Sequence, residues 1–266
     1  MGNGLVRAFR KPSSNQAIIA DAVKDTPRVS EPILTDASQV QDRFLCRFCG
    51  GRSCKHEDWT RQGDKSAIRG LNSNWITKDV LACQRPSSRL IREFDVIAQF
   101  QRARITAIFN LQLPGEHSLC GDGLVDGRFS YRAEEFTSAG IQFYNFGWLD
   151  MQVPALDRMM NIVHVMTDVI QQKGKVAVHC HAGFGRTGLA IACWILYVFG
   201  FTAKETIAIV RARRPRCIQT SKQQDFVTLF SDYVSALRTV FVIPPCITAR
   251  NTVFGDVAAS PSPGLN

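Results

Sequence analysis

Lys175 to Gly188 reads KVAVHCHAGFGRTG, and this stretch decides the fold. Val176 and Val178 make the first five residues a buried strand, which a loop carrying Gly183 and Gly185 follows. Arg186, Thr187 and an apolar run from Leu189 to Phe201 then predict a buried helix. Such a loop, passing directly from strand to helix, turns its backbone N–H groups toward one point in front of the helix N-terminus. That is a cradle for an anion.

Further out, strand-like and helix-like segments alternate. Strands are expected at 80–83, 105–111, 141–146 and 175–179, the last one central. Helices are expected at 88–102, 156–172, 187–199, 203–213 and 221–237. The pattern predicts an α/β fold, with a twisted, mainly parallel sheet of about four or five strands flanked by helices. Ligands of such sheets bind beyond the carboxyl ends of the strands, which again selects the loop after His179. Residues 1–72 read as a polar extension with a cysteine cluster, 73–240 as the catalytic domain, and 241–266 as a flexible tail with Pro244-Pro245 and a Ser-Pro-Ser-Pro-Gly run.

Composition narrows the classes. Hydrophobic residues form 45% of the 266 and charged residues 21%, which excludes a disordered chain, a collagen or a coiled coil. The longest nearly apolar run has thirteen residues, short of the roughly 20 that a membrane span needs, so no transmembrane segment is expected. Gly2 invites an acylation reading, but Val6 stands where Ser or Thr is usual. The net charge of +9 favours an acidic partner. Its densest run, Arg211, Arg213, Arg214 and Arg216, lacks interleaved aromatics, so nucleic acid is not expected and a solvated helix end is. Nine cysteines without a secretory signal imply reduced thiols and a cytoplasmic protein.

Three segments have a cysteine six residues before an arginine: Cys46 to Arg52, Cys83 to Arg89 and Cys180 to Arg186. The loop after Cys83 has no glycine, and Pro86 lacks the N–H that a cradle needs. No convincing strand leads into Cys46, and no apolar helix follows Arg52. Cys180 alone has strand, cradle, arginine and helix in order. There the loop amides, Arg186 and the helix dipole favour a thiolate, to which the Thr187 hydroxyl could donate. The planar fork of Arg186 matches two phosphate oxygens. A thiolate so placed is a nucleophile for phosphorus.

HCHAGFGRTG resembles the signature loop of the cysteine-dependent protein tyrosine phosphatases, in its dual-specificity form. NLQLPGEH (Asn110 to His117), YNFGWLD (Tyr144 to Asp150), RARRPRCIQT (Arg211 to Thr220) and CGGRSCKHE (Cys49 to Glu57) also resemble segments of that family, and the likeness spans roughly 46–235. It implies hydrolysis of phosphotyrosine, with phosphoserine and phosphothreonine as further substrates, through a phosphocysteine intermediate and without a cofactor. Asp150 is then the general acid and later the base, with Asp157 as the competitor. Gln219 orients the water, His179 holds the loop, and His181, Ala182, Gly183, Phe184, Gly185 and Arg186 surround the phosphate. Glu116 and His117 are loop supports. A phosphorylated protein is the expected partner. A phosphoinositide phosphatase and a non-catalytic phosphate-binding scaffold are the alternatives.

Cys46-x2-Cys49-x4-Cys54-x-His56 offers four soft ligands within eleven residues. The spacing resembles zinc knuckles over its first three members and breaks at His56. Cys120 and His117 could complete a site from elsewhere. Reduced thiols without metal are the other reading, and the family resemblance implies no metal.

Overall fold

Near-continuous burial along the strands 80–83, 105–110 and 175–179 marks a sheet covered on both faces. The computed structural model describes residues 49–57 and 65–240. Strands β1 (Ser73–Trp75), β2 (Val80–Cys83), β3 (Ile105–Asn110), β4 (Gln142–Asn145) and β5 (Lys175–His179) form one sheet in the order β1-β2-β5-β3-β4. Only β1 runs antiparallel to its neighbour. The central strand is β5, as its sequence predicts.

Successive side chains of a strand point to opposite faces, and β5 shows the consequence. Val176 and Val178 join the larger core, packed by α4 (Leu156–Gln171), α5 (Gly185–Phe199), α6 (Ala203–Arg213) and α7 (Ser221–Val240). Between them, Ala177 faces a second core built from α1 (Ser88–Glu93), α2 (Val96–Arg102) and α3 (Ala133–Thr137). Every residue of α5 is buried, which accounts for the thirteen-residue apolar run. No helix among the described residues is long and apolar enough to cross a membrane.

The sheet departs from the expected pattern in places. The helix expected over 88–102 is two helices, because Asp95 takes a left-handed φ of 52° and turns the chain between them. β1 and α3 were not expected: three and five residues are too few to display a period. The Glu135 carboxylate accepts from the Arg132 N–H at 2.9 Å and holds the start of α3. Ile68 and Leu71, on the N-terminal side of the boundary expected near residue 72, are buried in the second core. Residues 1–48 and 58–64 of the polar extension, with Gly2 and Cys46 among them, and the tail 241–266 lie outside the described residues.

Register positions the site. Cys83 and Asn110 both pair with His179, and Asn145 pairs with Asn110. The carboxyl ends of the four parallel strands are therefore level, and the loops that follow them meet at one edge.

Candidate active site

His179 ends β5, and Cys180 opens the loop that enters α5 at Gly185. Gly183 has a φ of +72°, and a Cβ there would lie 2.1 Å from the Cys83 carbonyl oxygen. Only glycine satisfies both conditions. The loop is also held from outside. The Arg85 N–H donates to the His181 carbonyl at 2.9 Å, and the Ile218 N–H donates to the Phe184 carbonyl at 3.2 Å. His179 is fully buried, its Nδ1 3.1 Å from the Cys180 carbonyl and its Nε2 2.7 Å from the Tyr131 hydroxyl. A carbonyl only accepts, so Nδ1 carries the proton and Nε2 accepts from Tyr131. Burial holds the His179 ring neutral, its pKa pushed down to about 3.

Arg186 is fully buried at the first turn of α5. Its Nη1 donates to Glu116 Oε2 at 2.8 Å, to the Trp148 carbonyl at 2.8 Å and to the Leu111 carbonyl at 3.0 Å; its Nη2 donates to Glu116 Oε1 at 2.5 Å. Glu116 is itself fixed by the Leu113 N–H at 3.0 Å and the Gln112 side chain at 3.1 Å. The end of the fork is thus occupied by a carboxylate, which was not foreseen. What remains is the side edge of Nε and Nη2. Nε makes no hydrogen bond, and Asp150 Oδ1 lies 3.1 Å from it as an ion pair. That edge is the one able to meet two phosphate oxygens.

Asp150 Oδ2 also lies 3.2 Å from His117 Nε2. Burial alone would raise the Asp150 carboxyl. The Arg186 guanidinium and the His117 contact outweigh it and hold the group well below the usual carboxylate range. Asp157 is exposed in the first turn of α4, where its carboxylate accepts from the Arg158 N–H at 2.7 Å. It does not line the cleft.

A cleft of about 240 Å³ brings together Cys180, Asp150, Gln219, His117, His181 and Ala182. Of the other expected loop residues, Phe184 is instead covered by the Arg214 and Arg216 guanidiniums, 4.5 and 5.4 Å from its ring centre. Thr187 Oγ1 is buried with no hydrogen-bond partner among the described residues, so the bond expected to the Cys180 sulfur is not formed. Gln219 is exposed, its N–H donating to Gln223 Oε1 at 2.8 Å. It follows Ile218, whose φ of 57° is strained for a β-branched residue.

Several residues in the site were missed. Arg214 is no solvated helix end. It is fully buried and donates to the Gly183 carbonyl at 2.7 Å, the Ala182 carbonyl at 3.2 Å and Asn74 Oδ1 at 2.6 Å. A run of arginines carries no signal for which one turns inward, since α6 ends at Arg213 and its period stops there. Lys55 and His56 line the cleft beside Cys49, so the cysteine segment forms one of its walls. His56 does not join the sulfurs. Cys49, Cys54 and Cys120 form a buried cluster, completed by His181 from the signature loop.

Comparison with known proteins shows the family. The model of the dual specificity phosphatase catalytic domain matches residues 93–232, and the chain belongs to that family. Protein tyrosine phosphatase domain-containing protein 1 of Mus musculus is 47% identical over 197 residues, and its Danio rerio counterpart is 46% identical over 195. Those matches take in 73% of this chain and 26% and 27% of the relatives, so the chain spans about a quarter of their length. Among solved structures, a kinase associated phosphatase superposes with a TM-score of 0.53 at 20% identity, covering 62% of this chain and 97% of that one. It shares the fold.

Proposed function

We propose that the chain hydrolyses phosphoproteins, taking phosphotyrosine and also phosphoserine and phosphothreonine, through a phosphocysteine intermediate. The supporting observation is that the Nε edge of Arg186 meets Asp150, which lines the cleft that holds Cys180. A substrate phosphate dianion competes with Asp150 for that edge. Once Arg186 is turned to phosphate, the largest influence holding the Asp150 carboxyl ionised is withdrawn, and the group can carry a proton.

The Cys180 sulfur then attacks phosphorus. The bond from phosphorus to the leaving oxygen breaks, and that oxygen takes the Asp150 proton. Arg186 and the loop N–H groups stabilise the equatorial oxygens. In the second half a water held by Gln219 gives its proton to Asp150 and attacks phosphorus. The sulfur–phosphorus bond breaks, releasing inorganic phosphate and restoring Cys180. Glu116 positions Arg186 throughout.

Asp150→Ala tests the scheme. Turnover of phosphopeptides, whose leaving oxygens need a proton, should fall by about 10² to 10⁴. An aryl phosphate with an acidic leaving group should lose far less, and the alkaline limb of the wild-type pH profile should vanish. Equal losses on both substrates would remove Asp150 from the acid role. A panel of phosphopeptides and phosphoinositides decides the substrate class. Selective turnover of phosphoinositides, lost on replacing the exposed Lys55 of the cleft wall, would overturn the protein reading.

A further inference from the structure

The cysteine cluster lies outside the chemistry just described, although it touches the signature loop. Cys49, Cys54, Cys120 and His181 are all buried, and their ligating atoms fall within 4.8 Å of one another. The Cys49 and Cys120 sulfurs are 3.0 Å apart, Cys54 and Cys49 are 3.5 Å apart, and the Cys54 sulfur is 3.5 Å from His181 Nε2. Four donors around one tetrahedral zinc ion, with Zn–S near 2.3 Å, stand about 3.8 Å from each other. The cluster already has nearly that spacing.

We propose that these four residues bind one structural zinc ion. The donor set is three soft thiolates and an imidazole, a combination that selects zinc over harder cations. Around it the protein supplies the groups that such a centre requires. Three thiolates and one zinc ion leave a net negative charge, and a buried cation lies beside it. Arg85 donates from Nη2 to the Cys120 carbonyl at 2.8 Å, while its Nη1 is buried without a partner among the described residues. His181 Nε2 also lies 3.0 Å from Glu57 Oε1, and that carboxylate accepts from Arg85 Nε at 2.6 Å, so it stays paired when Nε2 turns its lone pair to the metal.

The ligand order explains why the spacing within 46–56 reads poorly as a metal motif. Two ligands come from that segment, one from the loop after β3, and one from the residue next to the nucleophile. Zinc there would tie the cleft wall to the signature loop. It would also fix His181, whose ring stacks on His117 at 3.8 Å, and His117 contacts Asp150. The ion would be structural and would take no part in phosphoryl transfer.

The test uses the full chain, purified under reducing conditions from zinc-supplemented medium and washed with chelator. Mass spectrometric metal analysis should find about one zinc per chain, since structural sites bind tightly. Cys120→Ala should retain under about 0.2 equivalents, and Cys193→Ala, which removes a buried thiol elsewhere, should retain about one. Wild-type protein with under about 0.2 equivalents, or a Cys120→Ala variant that keeps its zinc, would overturn the site. Two further measurements do not depend on how Cys120→Ala folds. Cobalt-substituted wild type should show thiolate-to-cobalt charge transfer and intense tetrahedral visible bands. His181→Cys should keep the metal and strengthen the charge-transfer band. Absent charge transfer, an unchanged band in His181→Cys, or a Cys49–Cys120 disulfide in freshly blocked protein would each refute the assignment.

Discussion

Two segments of this chain run from a parallel strand through a cysteine, five residues and an arginine into a helix, and they lie side by side. Cys83 ends β2 and pairs in register with His179, the residue before Cys180. The first loop has Pro86 and leads into the six-residue α1, which Ser87 caps by accepting from the Leu90 N–H at 3.2 Å. The second has Gly183 and leads into the fifteen-residue α5. Cys83 is wholly buried, and burial pushes its thiol up to about 12. Arg89 is exposed and paired with Glu93 and Asp122, whereas Arg186 is buried and aimed by Glu116. The spacing of a cysteine and an arginine therefore carries no chemistry by itself. The backbone between them does. The first loop has become a brace for the second, through Arg85 N–H and the Cys83 carbonyl that packs on Gly183.

Paired substitutions can break this contrast, beginning with the largest effect. Cys180→Ser should reduce aryl phosphate hydrolysis to the uncatalysed background, because a serine hydroxyl is not ionised near neutral pH. Cys83→Ser should leave the rate per folded molecule within about threefold and lower stability by about 1–3 kcal/mol, the cost of a buried hydroxyl lacking a good partner. Arg186→Lys should cost about 10² to 10³ in kcat, and Arg89→Lys almost nothing. If the Cys83 and Arg89 variants lost activity to the same degree, the two loops would not differ as described.

Gly183→Ala sharpens the comparison through packing. The new methyl group would strike the Cys83 carbonyl in a left-handed conformation, so urea denaturation should show a loss of about 2–4 kcal/mol. Gly127 has a similar φ of +70° with nothing within 4 Å of a Cβ, so Gly127→Ala should lose only about 1 kcal/mol. Equal losses would mean that the brace does not press on the signature loop.

The smallest effect concerns Asp150 and pH. Its carboxyl is held below its ordinary range in the folded protein, so ionisation favours folding. That contribution is complete above about pH 5, where the unfolded carboxyl is also ionised, and it is lost as pH falls through the folded value. Wild type should therefore exceed Asp150→Asn in stability near neutral pH, by about 1 kcal/mol given partial exposure. The gap should close as the solution is acidified toward about pH 2. A gap constant with pH would show that Arg186 does not hold Asp150.

The amino-acid sequence determined much of this molecule. Val176 and Val178, a glycine-bearing loop and thirteen apolar residues specify strand, cradle and buried helix, because local backbone geometry and burial periodicity are written in neighbouring residues. Cys180 and Arg186 follow from that local pattern, and Asp150 and Gln219 from family resemblance. Other features exist only across long separations. Which of four arginines turns inward at Arg214, how Glu116 occupies the fork of Arg186, and how Cys49, Cys54 and Cys120 converge on His181 depend on strand order and register. These join residues up to 142 positions apart, from Asn72 to Arg214, and nothing in the spacing of neighbouring residues encodes such a meeting. The cysteine spacing within 46–56 breaks at His56 for that reason: the side chains that cluster with Cys49 and Cys54 are carried on two other loops, which only the packed sheet brings within reach.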